Sequence, residues 1–364
     1  MTKWTPVASQ IIKCLRIGKG DVVLIHSWKH TIELAEEIAA ECYRVGADPL
    51  ISLQTDYLLR RLAEEASEDE LKEVPRSLLT LYNSITVCII MSGPDDPETL
   101  IKIPSEKLKA LRISSSKLYE IELRRRVRQA EILIGKVSRR RAESYGLDYD
   151  NWMRVMREAL SVDYDRIREM GRKLAEEIRG AKEVHISSNS GTDLRFRIDG
   201  RPVIIEDGII DEEDIEKGFI STSLPAGCMI VAPIEDSAYG RVLFDLPNHI
   251  WGKSVEGLEW FFEEGRLISW RAAKGSESFK EVFDRMSGDR DRIGLFMLGL
   301  NPAYKAGYPL SEIALGTISI GIGNNEDFGG ENRGVGVFTA CMSGATVEVD
   351  GRPIMLDGRI LYEF

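Results

Sequence analysis

The stretch from Asp21 to Leu53, DVVLIHSWKHTIELAEEIAAECYRVGADPLISL, constrains this chain more than any other. Val22 to His26 form a short apolar run. Leu34, Ile38 and Cys42 then recur at helical spacing, and Val45-Gly46-Ala47 closes that helix. Leu50 to Leu53 resume as a strand. Strand, helix, strand in so few residues is a βαβ unit, which implies parallel strands and a right-handed crossover. A further buried strand is predicted at 85–91, ITVCIIM, because it is apolar almost throughout, and Ser92-Gly93-Pro94 stops it. No Gly-x-Gly-x-x-Gly follows the first strand, so the backbone lacks the close approach a pyrophosphate needs. The expectation is an architectural α/β domain.

Ile167, Met170, Leu174 and Ile178 fall on one stripe of a helix predicted over 163–179, which Gly180 ends. A domain boundary is placed there, giving an N-terminal α/β domain with a parallel sheet (1–182) and a C-terminal α+β domain (183–364). The second half is read as mixed or antiparallel sheet. It carries two Asp-Gly hairpin signals, FRIDGRPVII at 196–205 and VEVDGRPIML at 347–356.

The formal net charge of −11 argues against a nucleic-acid partner, which needs a basic face. Arg124 to Arg126 and Arg139 to Arg141 are therefore read as solvated surface, since no aromatics interleave as stacking platforms. No apolar stretch is long enough for a membrane span, and the first residues lack a signal core. Cys14, Cys42, Cys88, Cys228 and Cys341 are scattered, without a Cys-x-x-Cys pair, as expected for reduced thiols in a cytoplasmic protein. The abundance of Arg and Glu is compatible with a thermophilic source.

Four segments of the second half carry the chemical signal: SGTDLRF from Ser190, TSLPAGCMIVAPIEDSAYGRVLFD from Thr222, RIGLFMLGLNPAYKAG from Arg292, and LGTISIGIGNN through GGENRGVGVFTACMSG from Leu315. Their markers are Gly191-Thr192-Asp193-Leu194, Leu224-Pro225-x-Gly227, Ala232-Pro233, Asn301-Pro302 with Lys305-x-Gly307, Gly316-Thr317-Ile318, and Gly329-Gly330-x-Asn332. In this order they resemble the aminopeptidase T family of thermophilic metallo-aminopeptidases. The resemblance implies two domains, a homodimer, a peptide or other small-molecule ligand, and two divalent metals in the C-terminal domain that activate a water against a peptide carbonyl. It also implies ligands of two glutamates, two histidines and an aspartate.

Carried over residue by residue, those ligands are missing. The glutamate after the Leu-Pro-x-Gly turn falls on Cys228, and the one before the Asn-Pro segment falls on Leu295. The histidine after Thr-Ile falls on Ser319, and the last pair falls within Val337 to Cys341, which holds neither type. The chain has only four histidines, His26, His30, His185 and His249, none of them beyond residue 249. No metal cofactor is therefore expected, and no metal ligand is assigned. A related branch of the same fold opens pyridine rings with a single iron held by His, Ser, His and Asp. Ser319 matches its serine, but the accompanying histidines and aspartate are absent.

Cys228, Ser319 and Cys341 remain as catalytic candidates. For the two thiols four readings stay open: inert buried groups, soft ligands of a different metal together with Glu331 or Asp327, a nucleophile, or a disulfide between them. Asn301, Lys305 and Asp193 are candidates for a ligand pocket, against a capped turn and a solvated lysine for the first two. Glu326, Asp327 and Glu331 are read as solvated loop acids. The implied activity is release of N-terminal amino acids, lost or altered here. The alternative is a non-hydrolytic small-ligand-binding protein or an enzyme with a rebuilt thiol site.

Overall fold

The computed structural model describes residues 2–250 and 252–361. The chain divides into two compact units, one formed by residues 1–161 and 208–225, the other by 162–207 and 226–364. The boundary thus differs from the expected position near 182. The helix Tyr164–Ile178 belongs to the second unit, where Tyr164, Ile167, Met170, Leu174 and Ile178 are buried. Arg168 pairs with Asp207 at 2.7 Å, fastening the helix to the end of the strand Val203–Glu206. The sequence stripe identified the helix but could not say which core its buried side faces.

The first unit is built on the expected βαβ unit. The strands Val22–Trp28 and Asp48–Gln54 run parallel, joined through the helix Ile32–Val45, whose C-cap Gly46 has φ +80°. Val87–Met91 lies on the other side of the first strand, followed by Arg128–Ile132 and Ser221–Leu224, all parallel. In order of chain entry this is a 2-1-3-4-5 sheet, with its reversal of winding between Val22–Trp28 and Val87–Met91. Leu24, Cys88, Tyr82, Ile121 and Val127 pack on one face of it. The basic clusters lie at the surface, where Arg140 pairs with Asp96 and Arg139 with Asp150.

Beneath that face Glu122 is only 1% exposed and accepts a hydrogen bond from Gln129 Nε2 at 2.7 Å. Burial holds its carboxyl above the ordinary range. A carboxyl raised by folding binds more protons in the folded than in the unfolded state at pH values between its two pKa values. Stability therefore falls as pH rises through that window. Glu122→Gln is expected to shrink this loss, read as a smaller difference between urea midpoints at pH 5 and pH 8 than in the parent chain.

The second unit contains an eight-stranded antiparallel sheet, a five-stranded antiparallel sheet and a two-stranded ribbon. The two larger sheets meet face to face: Phe196 of the first lies 5.4 Å from Phe296 of the second, and Trp260 lies 5.9 Å from Phe338. Trp260, fully buried, also meets Phe244 and Phe279.

The two Asp-Gly signals part company here. At 347–356 the hairpin forms: Thr346–Val349 pairs antiparallel with Arg352–Leu356. Asp350 (φ +48°) and Gly351 (φ +75°) both adopt the left-handed conformation that a tight primed turn requires. At 196–205 it does not. Asp193–Arg197 pairs within the eight-stranded sheet, whereas Val203–Glu206 pairs with Cys228–Val231 in the other. There only Gly200 has positive φ, and Arg201 N–H returns to Ile198 O to close a β-turn from which the chain passes between sheets.

Candidate functional site

The five-stranded sheet runs Val337–Met342, Ile318–Gly323, Ile293–Gly299, Cys228–Val231, Val203–Glu206. Residues opposite one another in an antiparallel ladder share a face, so the register places the candidates. Cys341, Ser319, Met297, Ile230 and Ile204 form one row across it. Two residues along, Cys228 stands between Gly299 and Glu206. Leu295, alternating with Phe296, points the same way as Met297. This face is the one turned away from Phe296 and the core between the sheets.

Cys228, Ile230, Leu295 and Met297 pack into one buried cluster, joined by Ile204 and Phe328. Gly227 enters it with φ +131°, and a Cβ there would sit 3.0 Å from Asn301 N, so this turn admits no side chain. The Cys228 thiol donates to Glu206 Oε2 at 3.5 Å. Burial and the neighbouring Glu206 carboxyl push this thiol well up, and the crowded surroundings raise Glu206 itself. Glu206 stands on the edge strand of the sheet and keeps an exposed surface. Sequence reasoning missed this residue because the run VII before it was assigned to a hairpin that ended at Ile205. A carboxylate closing a half-buried strand was the available signal.

Ser319 Oγ and Cys341 Sγ form a hydrogen-bonded pair at 3.0 Å, and both are buried. Cys341 N–H donates to Asn248 Oδ1. Burial pushes the Cys341 thiol up, with a smaller contribution from the Glu312 carboxylate. Glu312 acts on Cys228 as well, so it is a second acid near this face that the sequence did not single out.

The arrangement decides between the readings of the thiols. Cys228 and Cys341 stand three strands apart, about 14 Å at ~4.8 Å per strand, beyond the reach of a disulfide. All five cysteines are free. Asp327 and Glu331 are exposed, and the residue of their loop that reaches the thiol face is Phe328. The soft-metal site with these acids is therefore not assembled. No imidazole stands ready to draw a proton from either thiol: His249 is bonded to Ser254 and to Gly307 O, and His185 to Glu348 and Asp193. Raised thiols without a base are poor nucleophiles. Under native conditions a thiol reagent such as dithionitrobenzoate is expected to modify none of the five cysteines within minutes, and all five after denaturation.

The pocket trio is not brought together. Asn301 is fully buried and donates to Ala226 O at 2.9 Å, while its Oδ1 accepts from the N–H groups of Ala303 and Tyr304. It holds the turn, as in the capped-turn reading. Lys305 is exposed. Asp193 lies on the eight-stranded sheet, exposed, 2.8 Å from His185 Nε2. Among the described residues no three His, Cys, Asp or Glu side chains converge in a way that would hold a metal ion.

The family model described as thermophilic metalloprotease (M29) matches residues 3–301. The chain belongs to this family. The M29 match ends before Ile318–Gly323 and Val337–Met342, the strands that carry Ser319 and Cys341. Wild-type AmpT from Thermus thermophilus has a similar fold, with a TM-score of 0.69 at 20% identity over 98% of this chain and 99% of that one. A 2,5-dihydroxypyridine dioxygenase from Pseudomonas putida KT2440 is also similar, with a TM-score of 0.62 at 12% identity over 100% and 99%. No curated protein sequence matches the chain. Both the α/β first unit and the antiparallel second unit agree with the AmpT-like fold expected from the sequence. No helix among the described residues is long and apolar enough to cross a membrane.

The donors present do not suit the metal pair that the family's name implies. Two divalent cations bring about four positive charges and need carboxylates and imidazoles around a shared centre. At the carried-over positions stand a protonated thiol, a leucine, and a serine bonded to a second protonated thiol.

Proposed function

We propose that this M29 chain does not carry out metal-dependent release of N-terminal amino acids, and that it retains the fold for a non-hydrolytic role in binding a small molecule. The observation carrying this reading is the apolar packing of Leu295 against Cys228, Ile230 and Met297. An alkyl group there supplies no charge to balance a cation and keeps water from the neighbouring positions. Glu206 and Cys228 together offer two donors, fewer than the three or four protein ligands of a hydrolytic centre.

The test is direct. The chain is purified without chelator, its metals are quantified, and release of amino acids from short peptides is assayed with added zinc, cobalt or manganese. The expected result is well under one equivalent of tightly bound metal and no turnover above the buffer rate. About two equivalents with metal-dependent turnover would overturn the proposal. The reading keeps the homodimer implied by the family resemblance, for which light scattering should give twice the chain mass. It also places the protein in the cytoplasm, where free thiols stay reduced.

A further inference from the structure

A sizeable cavity lies in the first unit, far along the sequence from the thiol face. It has a volume of about 630 Å³, within the range of small-molecule sites. It opens beneath one face of the parallel sheet and reaches Trp28 and Met91. These two residues end the adjacent strands Val22–Trp28 and Val87–Met91, between which the winding of the sheet reverses. Open α/β sheets bind ligands in the crevice outside the carboxyl ends of their strands at this reversal.

The walls are apolar, with Leu58, Leu62, Leu78, Leu111 and Leu118 on the covering helices. The polar side chains gather at the sheet: His26, Tyr82, Glu122 and Gln129. His26 Nε2 and Tyr82 Oη are 3.0 Å apart, and Gln129 donates to Glu122 Oε2. Each pair leaves one buried atom without a hydrogen-bond partner among the described residues, His26 Nδ1 and Glu122 Oε1. Buried polar atoms left unpaired beside a cavity cost free energy that a bound group can restore. Burial lowers His26 to about 4, so its ring is neutral at pH 7 and attracts no anion.

The charge of the lining selects the ligand. Glu70, Glu73 and Glu122 line the cavity, and no Lys or Arg does so among the described residues. Glu73 is already paired with Lys117 at 3.0 Å, and a phosphate or carboxylate would meet Glu122 with no cationic side chain on the lining to balance it. The missing Gly-rich loop after the first strand excludes a nucleotide on the same grounds. We propose that this cavity binds a small, largely apolar amine, its hydrocarbon part among the leucines and its N–H donors on Glu122 and the neighbouring polar groups.

The experiment compares 4-phenylbutylamine with 4-phenylbutyrate, matched in shape and opposite in charge, by titration calorimetry on the full chain. The amine is expected to bind with a sub-millimolar Kd and the carboxylate at least tenfold more weakly. Glu122→Gln should weaken the amine about tenfold. Leu62→Trp, at a partly exposed wall position that tolerates bulk, should abolish binding while leaving the thermal midpoint within a few degrees. If Glu122→Gln fails to fold, Leu62→Trp decides alone. Equal binding of both probes, no amine binding at several millimolar, or unchanged affinity in Leu62→Trp would overturn the proposal. So would self-association that disappears in Leu62→Trp without amine binding, which would assign these leucines to contact between copies.

Discussion

Leu295→Glu is expected to lower the unfolding free energy at pH 7 by about 3–5 kcal/mol, the cost of an uncompensated charge in a buried site. Leu295 is 3% exposed and touches Cys228, Ile230 and Met297, none of which neutralises a carboxylate. The new carboxyl would have its folded pKa raised. Its cost is therefore full above that value and disappears as pH falls below the unfolded value of about 4.3. Urea titrations at pH 7 and pH 4 should show a large difference from the parent at the first and a small one at the second. Adding zinc should not restore stability at pH 7, because the other carried-over positions still hold Cys228 and Ser319. Recovery of the parent midpoint with zinc would show that a metal centre can be assembled here after all.

Arg201→Met carries the second large effect. Arg201 and Glu235 form an ion pair with side chains only 9% and 12% exposed. Arg201 also donates to Gly329 O, and Glu235 Oε1 accepts from Asn325 Nδ2 and from Glu331 N–H. The pair thus ties the turn after Asp193–Arg197 to the loop GGEN, whose Asn332 donates to Ile293 O and Gly323 O. Removing the guanidinium leaves a buried carboxylate facing another acid's backbone, at a cost of about 3–5 kcal/mol. The double variant Arg201→Met, Glu235→Gln is expected to recover a substantial part of that loss, since no charge is then stranded. Equal loss in the single and double variants would place the energy in packing and not in charge.

This network also explains why the family markers persist around a thiol face. Gly227 fits under Asn301, Asn301 closes its own turn, and Asn332 and Asn325 satisfy backbone groups of neighbouring strands. These residues serve the fold whether or not a metal is present. Their survival in the sequence therefore identified the scaffold and carried no information about catalysis.

What the sequence determined by itself is the local grammar. The apolar runs at 22–26 and 85–91 and the helical spacing at 34–42 dictated a parallel sheet, because period and burial are properties of a few neighbouring residues. The stripe from Ile167 to Ile178 dictated a helix, and the resemblance dictated the family. That 228, 295 and 319, the positions to which the resemblance carries the ligands, hold neither carboxylate nor imidazole was equally legible, since residue type needs no coordinates. Tertiary structure alone decided which surfaces those elements serve. Asp-Gly-Arg-Pro makes a hairpin at 350–353 and a passage between sheets at 199–202, because φ at the aspartate is set by what the following strand pairs with. Glu206 comes beside Cys228, and Cys341 is held away from it, through registers that pair residues as far apart in sequence as Cys228 and Gly299. The cavity under His26 and Glu122 arises in the same way, from helices that meet the sheet only once the chain has folded.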